Sequence, residues 1–102
     1  MVKPKKHLGQ HFLIQPHTAQ KIVNLLPLSN THTILEIGPG KGILTQYLCQ
    51  LPNPIIALDI DPESIHYLKN HFHSTNLTIL EQDILTYSFP DNPIFFNRKF
   101  TL

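Results

Sequence analysis

The chain has 102 residues, of which 41% are hydrophobic and 15% charged, with one cysteine and a formal net charge of +1. This length fits one small domain or part of a larger one, and the apolar fraction is too high for a disordered tail. A single cysteine excludes a disulfide framework and a zinc site built on several cysteines. The sequence has neither an apolar run of ~18 residues nor a secretory signal pattern, which predicts a cytoplasmic protein without a membrane partner.

Charge is distributed unevenly along the chain. All seven acidic residues lie between Glu36 and Asp91, whereas Lys3, Lys5 and Lys6 form a basic leader. Such a leader attracts phosphates, and phosphate contacts dominate nucleic-acid affinity in a salt-dependent way. The same lysines are equally compatible with a solvated N-terminus, so composition leaves both interpretations open.

Helices and strands alternate in the first half of the chain. Pro16 opens a first helix, which Pro27 closes, and Thr33–Ile37 is a short apolar strand that leads into a glycine loop. Apolar residues at helical spacing then predict a second helix from Ile43, which Pro52 ends.

The second half repeats this alternation. Pro54–Ile60 predicts a buried second strand, and Asp61 is placed to cap the helix that follows it. Leu77–Leu80 predicts a third strand and Pro93–Phe96 the beginning of a fourth. Strands that alternate with helices indicate an α/β fold with a parallel sheet of three to four strands. Because doubly wound sheets normally have more strands, we expect the front part of such a fold.

The loop Gly38–Gly42 has glycine at every second position. A phosphate-binding P-loop is excluded because Lys41 is followed by glycine, and a dinucleotide loop would have its third glycine one residue later. Glu36 would repel a pyrophosphate but suits the cationic methionine end of S-adenosylmethionine. The pattern therefore favours this cofactor, with a purely structural turn as the alternative.

Acidic residues follow the second and third predicted strands. At the position of Asp59 a carboxylate can accept hydrogen bonds from ribose hydroxyls, and Asp61 is a competing candidate that is better used as a helix cap. Asp83 can accept a hydrogen bond from an adenine amino group, with Ile84 against the ring. Taken singly, such acids are more often solvated strand ends. Together with Glu36, they predict a ligand site at the carboxyl edge of the sheet.

Seven histidines raise the question of a metal site. His7 and His11 are separated by Gly9 and have no carboxylate near them in sequence, while His71 and His73 lie at a predicted helix end, where a positive charge is favourable. We therefore predict no metal.

Four segments resemble the small-subunit ribosomal RNA adenine N6-dimethyltransferases. They are KKHLGQHFL (5–13), LEIGPGKG (35–42), DID (59–61) and QDIL (82–85). Their order and spacing match the family up to about Phe89. The macrolide-resistance methyltransferases of large-subunit rRNA have a similar first segment and are the second choice.

The resemblance implies the N-terminal part of a Rossmann-like class I S-adenosylmethionine-dependent methyltransferase fold. Residues 1–16 would form a basic leader with cofactor and RNA contacts, and residues 17–102 a partial cofactor-binding domain. The implied activity is dimethylation of N6 of two adjacent adenosines in small-subunit rRNA, with the pre-ribosomal small subunit as partner.

Individual residues also acquire expected roles from the resemblance. His11 and Leu13 match the family's N-terminal cofactor contacts. Gly38 matches the residue that contacts the methionine part of the cofactor. Asp59 matches the residue that contacts the ribose, and Asp83 the residue that contacts the adenine.

The family's fourth motif is Asn-Leu/Ile-Pro-Tyr/Phe, and the chain departs from it. At the matching positions, Asn97 would accept a hydrogen bond from the target amine and Phe100 would stack on the extruded base. Asn97 would also lie against the cofactor. Arg98 and Lys99 replace the apolar residue and the proline. We therefore expect a truncated, inactive form. A dinucleotide-dependent oxidoreductase and a non-catalytic RNA-binding fragment are the alternatives from other classes.

Overall fold

Four parallel strands, flanked by short helices, form the fold in the computed structural model, which describes residues 16–97. In chain order, the elements are α1 (Pro16–Asn24), β1 (Thr33–Ile37), α2 (Thr45–Leu48), β2 (Ile55–Asp59), α3 (Pro62–His71), β3 (Leu77–Glu81), a 3₁₀ turn (Ile84–Thr86) and β4 (Pro93–Asn97). Among these described elements, no helix has the length and apolar character needed to cross a bilayer.

The sheet has the strand order β3-β2-β1-β4. β1 lies between β2 and β4, and every one of its five residues has a partner on β4, from the Thr33–Pro93 pair to the Ile37–Asn97 pair. The predicted α/β class and parallel sheet are confirmed. The fourth strand extends one residue beyond the predicted Pro93–Phe96, so β4 covers the whole of β1.

The core lies where α1 and α2 pack on the two central strands. Its buried residues come from these four elements, from the residue before α2 and from β4: Ala19, Val23, Ile34, Leu44, Leu48, Ile55 and Phe96. Because β1 and β2 are covered on both sides, their sequences are nearly continuous apolar runs, as in other parallel sheets. This burial fixes the strand ends, and with them the positions of the loops that follow.

Several predicted boundaries differ from the structure by one or a few residues. The second strand ends at Asp59 instead of Ile60, whose side chain is 68% exposed. The helix after the glycine loop is only Thr45–Leu48. The residues after it form hydrogen bonds to the carbonyl three residues earlier, as in a 3₁₀ helix. The Gln50 N–H donates to the Tyr47 carbonyl, and the Leu51 N–H to the Leu48 carbonyl. Such tightening is common where a helix ends.

The start of α3 follows the prediction closely. The Asp61 carboxylate accepts a hydrogen bond of 2.9 Å from the N–H of Glu63, and Pro62 takes the first helical position. Ile65 and Leu68 are buried on the inner face of the helix. Asp61 is thus the helix cap, as expected, and α3 begins directly after the end of β2.

Two asparagines tie the loops together at the amino ends of the strands. The Nδ2 of Asn53 donates to the carbonyls of Ser29 and His32 at 2.9 and 3.0 Å. The Nδ2 of Asn76 donates to the carbonyls of Leu51 and Asn53 at 2.9 and 3.0 Å. These bonds satisfy backbone acceptors in the loops that precede β1 and β2, and Asn76 ties the loop before β3 to them.

Candidate functional site

A cleft of about 150 Å³ lies at the carboxyl ends of β1, β2 and β3. It is lined by Ile37, Gly38, Leu58, Asp59, Ile60, Gln82, Asp83 and Ile84. Open α/β sheets bind ligands at this edge. The cleft combines apolar walls with two carboxylates, each contributed by a different strand end.

The glycine loop forms one side of this region. Gly38, Gly40 and Gly42 have φ values of +67°, +60° and +82°, which L residues rarely adopt. A Cβ on Gly38 would have no neighbour within 4 Å, whereas one on Gly42 would lie 2.5 Å from the ring of Phe72. Gly42 is therefore required for packing against the end of α3. The backbone at Gly38 faces open space that a ligand can approach.

Asp59 and Asp83 are held by the same local geometry. The Oδ1 of Asp59 accepts a hydrogen bond of 3.0 Å from the N–H of Asp61, and the Oδ1 of Asp83 one of 2.9 Å from the N–H of Leu85. The N–H of Gln82 also donates to the carbonyl of Asp59 at 3.0 Å. A carboxylate has about four acceptor sites, so each keeps acceptor capacity for a ligand while its orientation is fixed.

Glu36 lies in the interior of the protein, on β1. It is fully buried and accepts a hydrogen bond of 2.5 Å from the hydroxyl of Thr45, which is itself fully buried. Glu36 is absent from the lining of the cleft and lies inside the protein, two residues before Gly38. That its carboxylate suits a cationic ligand stays a prediction.

The structure brings together three of the predicted cofactor residues. Gly38, Asp59 and Asp83 line one cleft. Asn97 is the last residue of β4 and is paired with Ile37, another lining residue, across the sheet. His11, Leu13 and Phe100 lie outside the described residues.

The sequence does not indicate the surroundings of two residues, Ile60 at the cleft and Thr45 in the interior. The apolar run predicts Ile60 as part of a buried strand, yet it lines the cleft and is largely exposed. Its position between two acids at a strand end is a signal that the strand has already ended. Thr45 falls within the predicted apolar helix, and no sequence pattern marks it as the partner of Glu36.

The described part of the chain also bears on the metal question. Among residues 16–97, no group of three histidine, cysteine or acidic side chains is placed to hold a metal ion. The acids at the cleft are Asp59 and Asp83. This donor set suits hydroxyl and amino groups or a positively charged ligand.

Comparison with known proteins identifies the family. The family model described as ribosomal RNA adenine dimethylase matches residues 1–100. The chain belongs to this family. The family assignment expected from the four sequence segments is thereby confirmed.

Individual members of the ribosomal RNA adenine dimethylase family show the same similarity. The chain is 40% identical over 101 residues to the ribosomal RNA small subunit methyltransferase A of Flavobacterium johnsoniae. This alignment covers 99% of the chain but 38% of that relative. The chain thus spans little more than a third of the length of this relative.

Solved structures agree with the family and the fold. A dimethyladenosine transferase from Plasmodium falciparum superimposes with a TM-score of 0.69 at 30% identity, over 83% of the chain and 32% of that protein. The 23S rRNA methyltransferase ErmE gives a TM-score of 0.67 at 27% identity, over 84% of the chain and 36% of that protein. The predicted methyltransferase fold, of which the chain contains the N-terminal part, is confirmed.

Proposed function

We propose that the chain is the S-adenosylmethionine-binding part of an enzyme that dimethylates N6 of two adjacent adenosines in small-subunit rRNA. The observation that carries this proposal is the meeting of Gly38, Asp59 and Asp83 in one cleft. The curated relative from Flavobacterium johnsoniae is named for methylation of the small ribosomal subunit, which supports the choice of substrate.

The residues at the cleft fit S-adenosylmethionine on chemical grounds. The cofactor has two ribose hydroxyls and an adenine amino group that donate hydrogen bonds, and the two carboxylates are acceptors. Its sulfonium and ammonium groups are cationic, and the acids at the cleft contribute negative charge. The open space at Gly38 leaves room for close approach to the main chain.

Each residue then has a separate role in binding. Gly38 would contact the methionine part, Asp59 would accept from the ribose hydroxyls, and Asp83 would accept from the adenine amino group with Ile84 against the ring. Bound S-adenosylmethionine supplies an electrophilic methyl group. His11 and Leu13 are proposed as further cofactor contacts from the N-terminal segment.

The target adenosine is assigned to the end of β4. Asn97 and Phe100 are proposed to receive it, Asn97 as an acceptor for the exocyclic amine and Phe100 as a stacking partner for the base. Because this amine is a poor nucleophile, holding it in line with the methyl group is the main contribution that side chains can make. The basic leader in residues 1–16 is proposed to contact RNA phosphates.

The chain's own activity is a separate question. Lys99 stands where the family motif has proline, and lysine does not impose the fixed φ that proline would impose at this position. We expect no methyl transfer to small ribosomal subunits by the 102-residue chain alone. An assay with labelled cofactor that detects clear turnover would contradict this expectation.

Methyl transfer is best tested in a chimera. Residues 1–97 of the chain would replace the matching segment of the Flavobacterium johnsoniae relative, and the chimera would be incubated with unmethylated small subunits and labelled S-adenosylmethionine. We expect N6-dimethyladenosine as product, with little or none in the Asp83→Ala chimera. Absence of product from a folded chimera, while the intact relative remains active, would contradict the proposal.

The similarity to ErmE supports a second candidate, methylation of large-subunit rRNA. The two TM-scores, 0.69 and 0.67, are close. Large subunits offered to the same chimera separate the candidates: product on large-subunit RNA alone would favour the second. Displacement of labelled S-adenosylmethionine by NAD at lower concentration than by S-adenosylhomocysteine would favour the oxidoreductase alternative.

A further inference from the structure

A second groove, the α3 groove, lies between the glycine loop and α3. It has a volume of about 570 Å³ and is lined by Lys41 of the loop, by Asp61 before the helix and by side chains along the helix. It shares no lining residue with the cofactor cleft. Gly38 and Asp59 of the cleft nevertheless lie only three and two residues before Lys41 and Asp61. The α3 groove is therefore a separate site directly beside the cleft.

Two aromatic rings line the α3 groove as a stacked pair. The ring centroids of Tyr67 and His71 are 3.9 Å apart, and the ring planes are inclined by 18°. The Nδ1 of His71 donates a hydrogen bond of 2.8 Å to the carbonyl of Tyr67, which holds the imidazole against the phenol ring. Tyr67 is partly buried and His71 is exposed. Such a fixed and accessible pair of rings is a surface on which an unpaired nucleobase can stack.

Lys41 adds a positive charge beside these rings. Its Nζ lies 5.8 Å from the centroid of the Tyr67 ring, within the range of a cation–π contact. A nucleotide has a base for the rings and a phosphate for the ammonium group. Rings on the helix and a lysine from the loop thus meet in one groove with the two groups that a nucleotide requires.

The acids at the start of α3 narrow the choice of ligand. The carboxylate of Asp61 accepts hydrogen bonds from the N–H of Glu63 at 2.9 Å and from the hydroxyl of Ser64 at 3.3 Å, and Glu63 also lines the groove. These negative charges disfavour a site for phosphate alone. A ribonucleotide also has a 2′-hydroxyl, which can donate to a carboxylate and which DNA lacks.

We propose that the α3 groove binds an unpaired nucleotide of single-stranded RNA, whose base stacks on His71 and Tyr67 and whose phosphate contacts Lys41. That this strand is rRNA rests on the proposed function. The groove would then hold a nucleotide that flanks the target adenosines, because it lies beside the cofactor cleft. It would add affinity for RNA without contacting the cofactor.

The stacking part is tested with a fluorescein-labelled, unstructured RNA of about ten nucleotides, whose binding to the 102-residue chain is followed by fluorescence anisotropy. Tyr67→Leu removes the ring but keeps an apolar side chain, and affinity should fall about tenfold. Tyr67→Phe keeps the ring and should bind like the unchanged chain. Circular dichroism identifies variants that fail to fold. If Tyr67→Leu is among them, His71→Ala at the exposed ring decides, with a loss of about tenfold expected.

The lysine part has a matched control on the same helix. Lys69 is exposed and does not line the groove, so Lys41→Gln and Lys69→Gln each remove one positive charge but only the first removes it from the groove. Lys41→Gln should weaken RNA binding about threefold and reduce the slope of log affinity against log salt by about 0.7. Lys69→Gln should change neither. Equal effects of the two substitutions would show general attraction of RNA and overturn the proposal.

Other ligands test the choice of an RNA strand. DNA of the same sequence should bind more weakly, and equal binding would overturn the choice of RNA. AMP should displace the RNA only at a much higher concentration, and displacement at the same concentration would identify a site for a free nucleotide instead. A labelled oligoarginine peptide represents a cationic partner for the acids. If binding of this peptide, and not of RNA, depends on Tyr67, the proposal is overturned.

The outcomes are distinguishable from those for the proposed function. RNA binding that is absent, or that is unchanged in both Tyr67→Leu and Lys41→Gln, would overturn the role of the groove, while binding of S-adenosylmethionine by the same variants would leave the proposed function intact. Failure of the unchanged chain to bind S-adenosylmethionine would contradict the proposed function. A loss of RNA binding in Tyr67→Leu would still support the groove.

Discussion

The cleft at β1–β3 and the outer side of β4 are built from different kinds of residue. At the cleft, Asp59 and Asp83 are each fixed by a backbone N–H two residues further along the chain. Beside β4, Phe89 and Phe95 are about half exposed, and their rings pack edge to face with the ring centroids 5.0 Å apart. Polar groups at the cleft are thus positioned locally and left open to a ligand, whereas the β4 side offers apolar surface.

The two regions depend on distant contacts to different degrees. A hydrogen bond from a backbone N–H to an aspartate side chain two residues earlier needs only that aspartate and a local turn of the chain. The packing of an aromatic ring depends on what the rest of the fold places against it. We therefore expect substitutions near β4 to affect stability and substitutions at the cleft to affect ligand binding.

The largest effect should come from neighbouring residues of β4 that point to opposite faces of the sheet. Phe96 is buried in the core, whereas Phe95 is 47% exposed. Phe96→Ala should lower the free energy of unfolding by about 3 kcal/mol, because it leaves a cavity, and Phe95→Ala by less than about 1 kcal/mol. Urea denaturation followed by circular dichroism measures both, and equal losses would contradict the assignment of faces.

Two glycines of the loop provide the next comparison. In Gly42→Ala the new Cβ would clash with the ring of Phe72 at 2.5 Å, and we expect a loss of about 2–3 kcal/mol in unfolding free energy. In Gly38→Ala the new Cβ has no clash, and the only cost is the backbone strain of a φ of +67°. We expect this strain to lower the unfolding free energy by about 1 kcal/mol. Gly38→Ala should nevertheless weaken binding of S-adenosylmethionine. Normal binding by Gly38→Ala would show that the ligand does not approach this backbone.

A smaller effect distinguishes Asp59, the last residue of β2, from Asp61. Asp61 caps α3, so Asp61→Ala should cost about 1 kcal/mol of unfolding free energy while cofactor affinity stays within about twofold. Asp91→Ala, which changes an exposed acid before β4, is the control and should alter neither quantity. If Asp61→Ala binds cofactor as poorly as Asp59→Ala, Asp61 is a ligand contact as well as a cap.

The smallest predicted effect is a pH dependence at Cys49. Burial raises the pKa of this thiol above its ordinary value of 9.0. Iodoacetamide should therefore react with Cys49 at a higher pH than with a free thiol. Because the folded state binds this proton more tightly, the associated stability is full below pH 9.0 and is lost as pH rises through the folded-state pKa. An alkylation midpoint at or below that of a free thiol would contradict the burial of Cys49.

The fold can be predicted from the sequence because its signals are local. Apolar runs broken by proline mark the strands, and Asp61-Pro62 marks the start of α3. The order of acids after successive strands suffices to predict that Asp59 and Asp83 share one edge of the sheet. The parallel sheet itself follows from the alternation of strands and helices.

The remaining features depend on tertiary contacts that no local pattern contains. The bond between Glu36 and Thr45 joins two elements across the glycine loop, and neither residue type requires it. Because β2 ends at Asp59, Ile60 lies in the wall of the cleft and not in the core as predicted. The length of β4 depends on its pairing with β1, which the apolar pattern of Pro93–Phe96 only begins to define.

We propose that one cleft holds S-adenosylmethionine through Asp59 and Asp83, the acids at the carboxyl ends of β2 and β3. This is tested by equilibrium dialysis of labelled S-adenosylmethionine against the unchanged chain, the Asp59→Ala/Asp83→Ala double variant and the Asp91→Ala control. Loss of two hydrogen bonds to charged acceptors should weaken binding by about a hundredfold or more in the double variant, with the control unaffected. Equal binding by the double variant and the unchanged chain would contradict the claim.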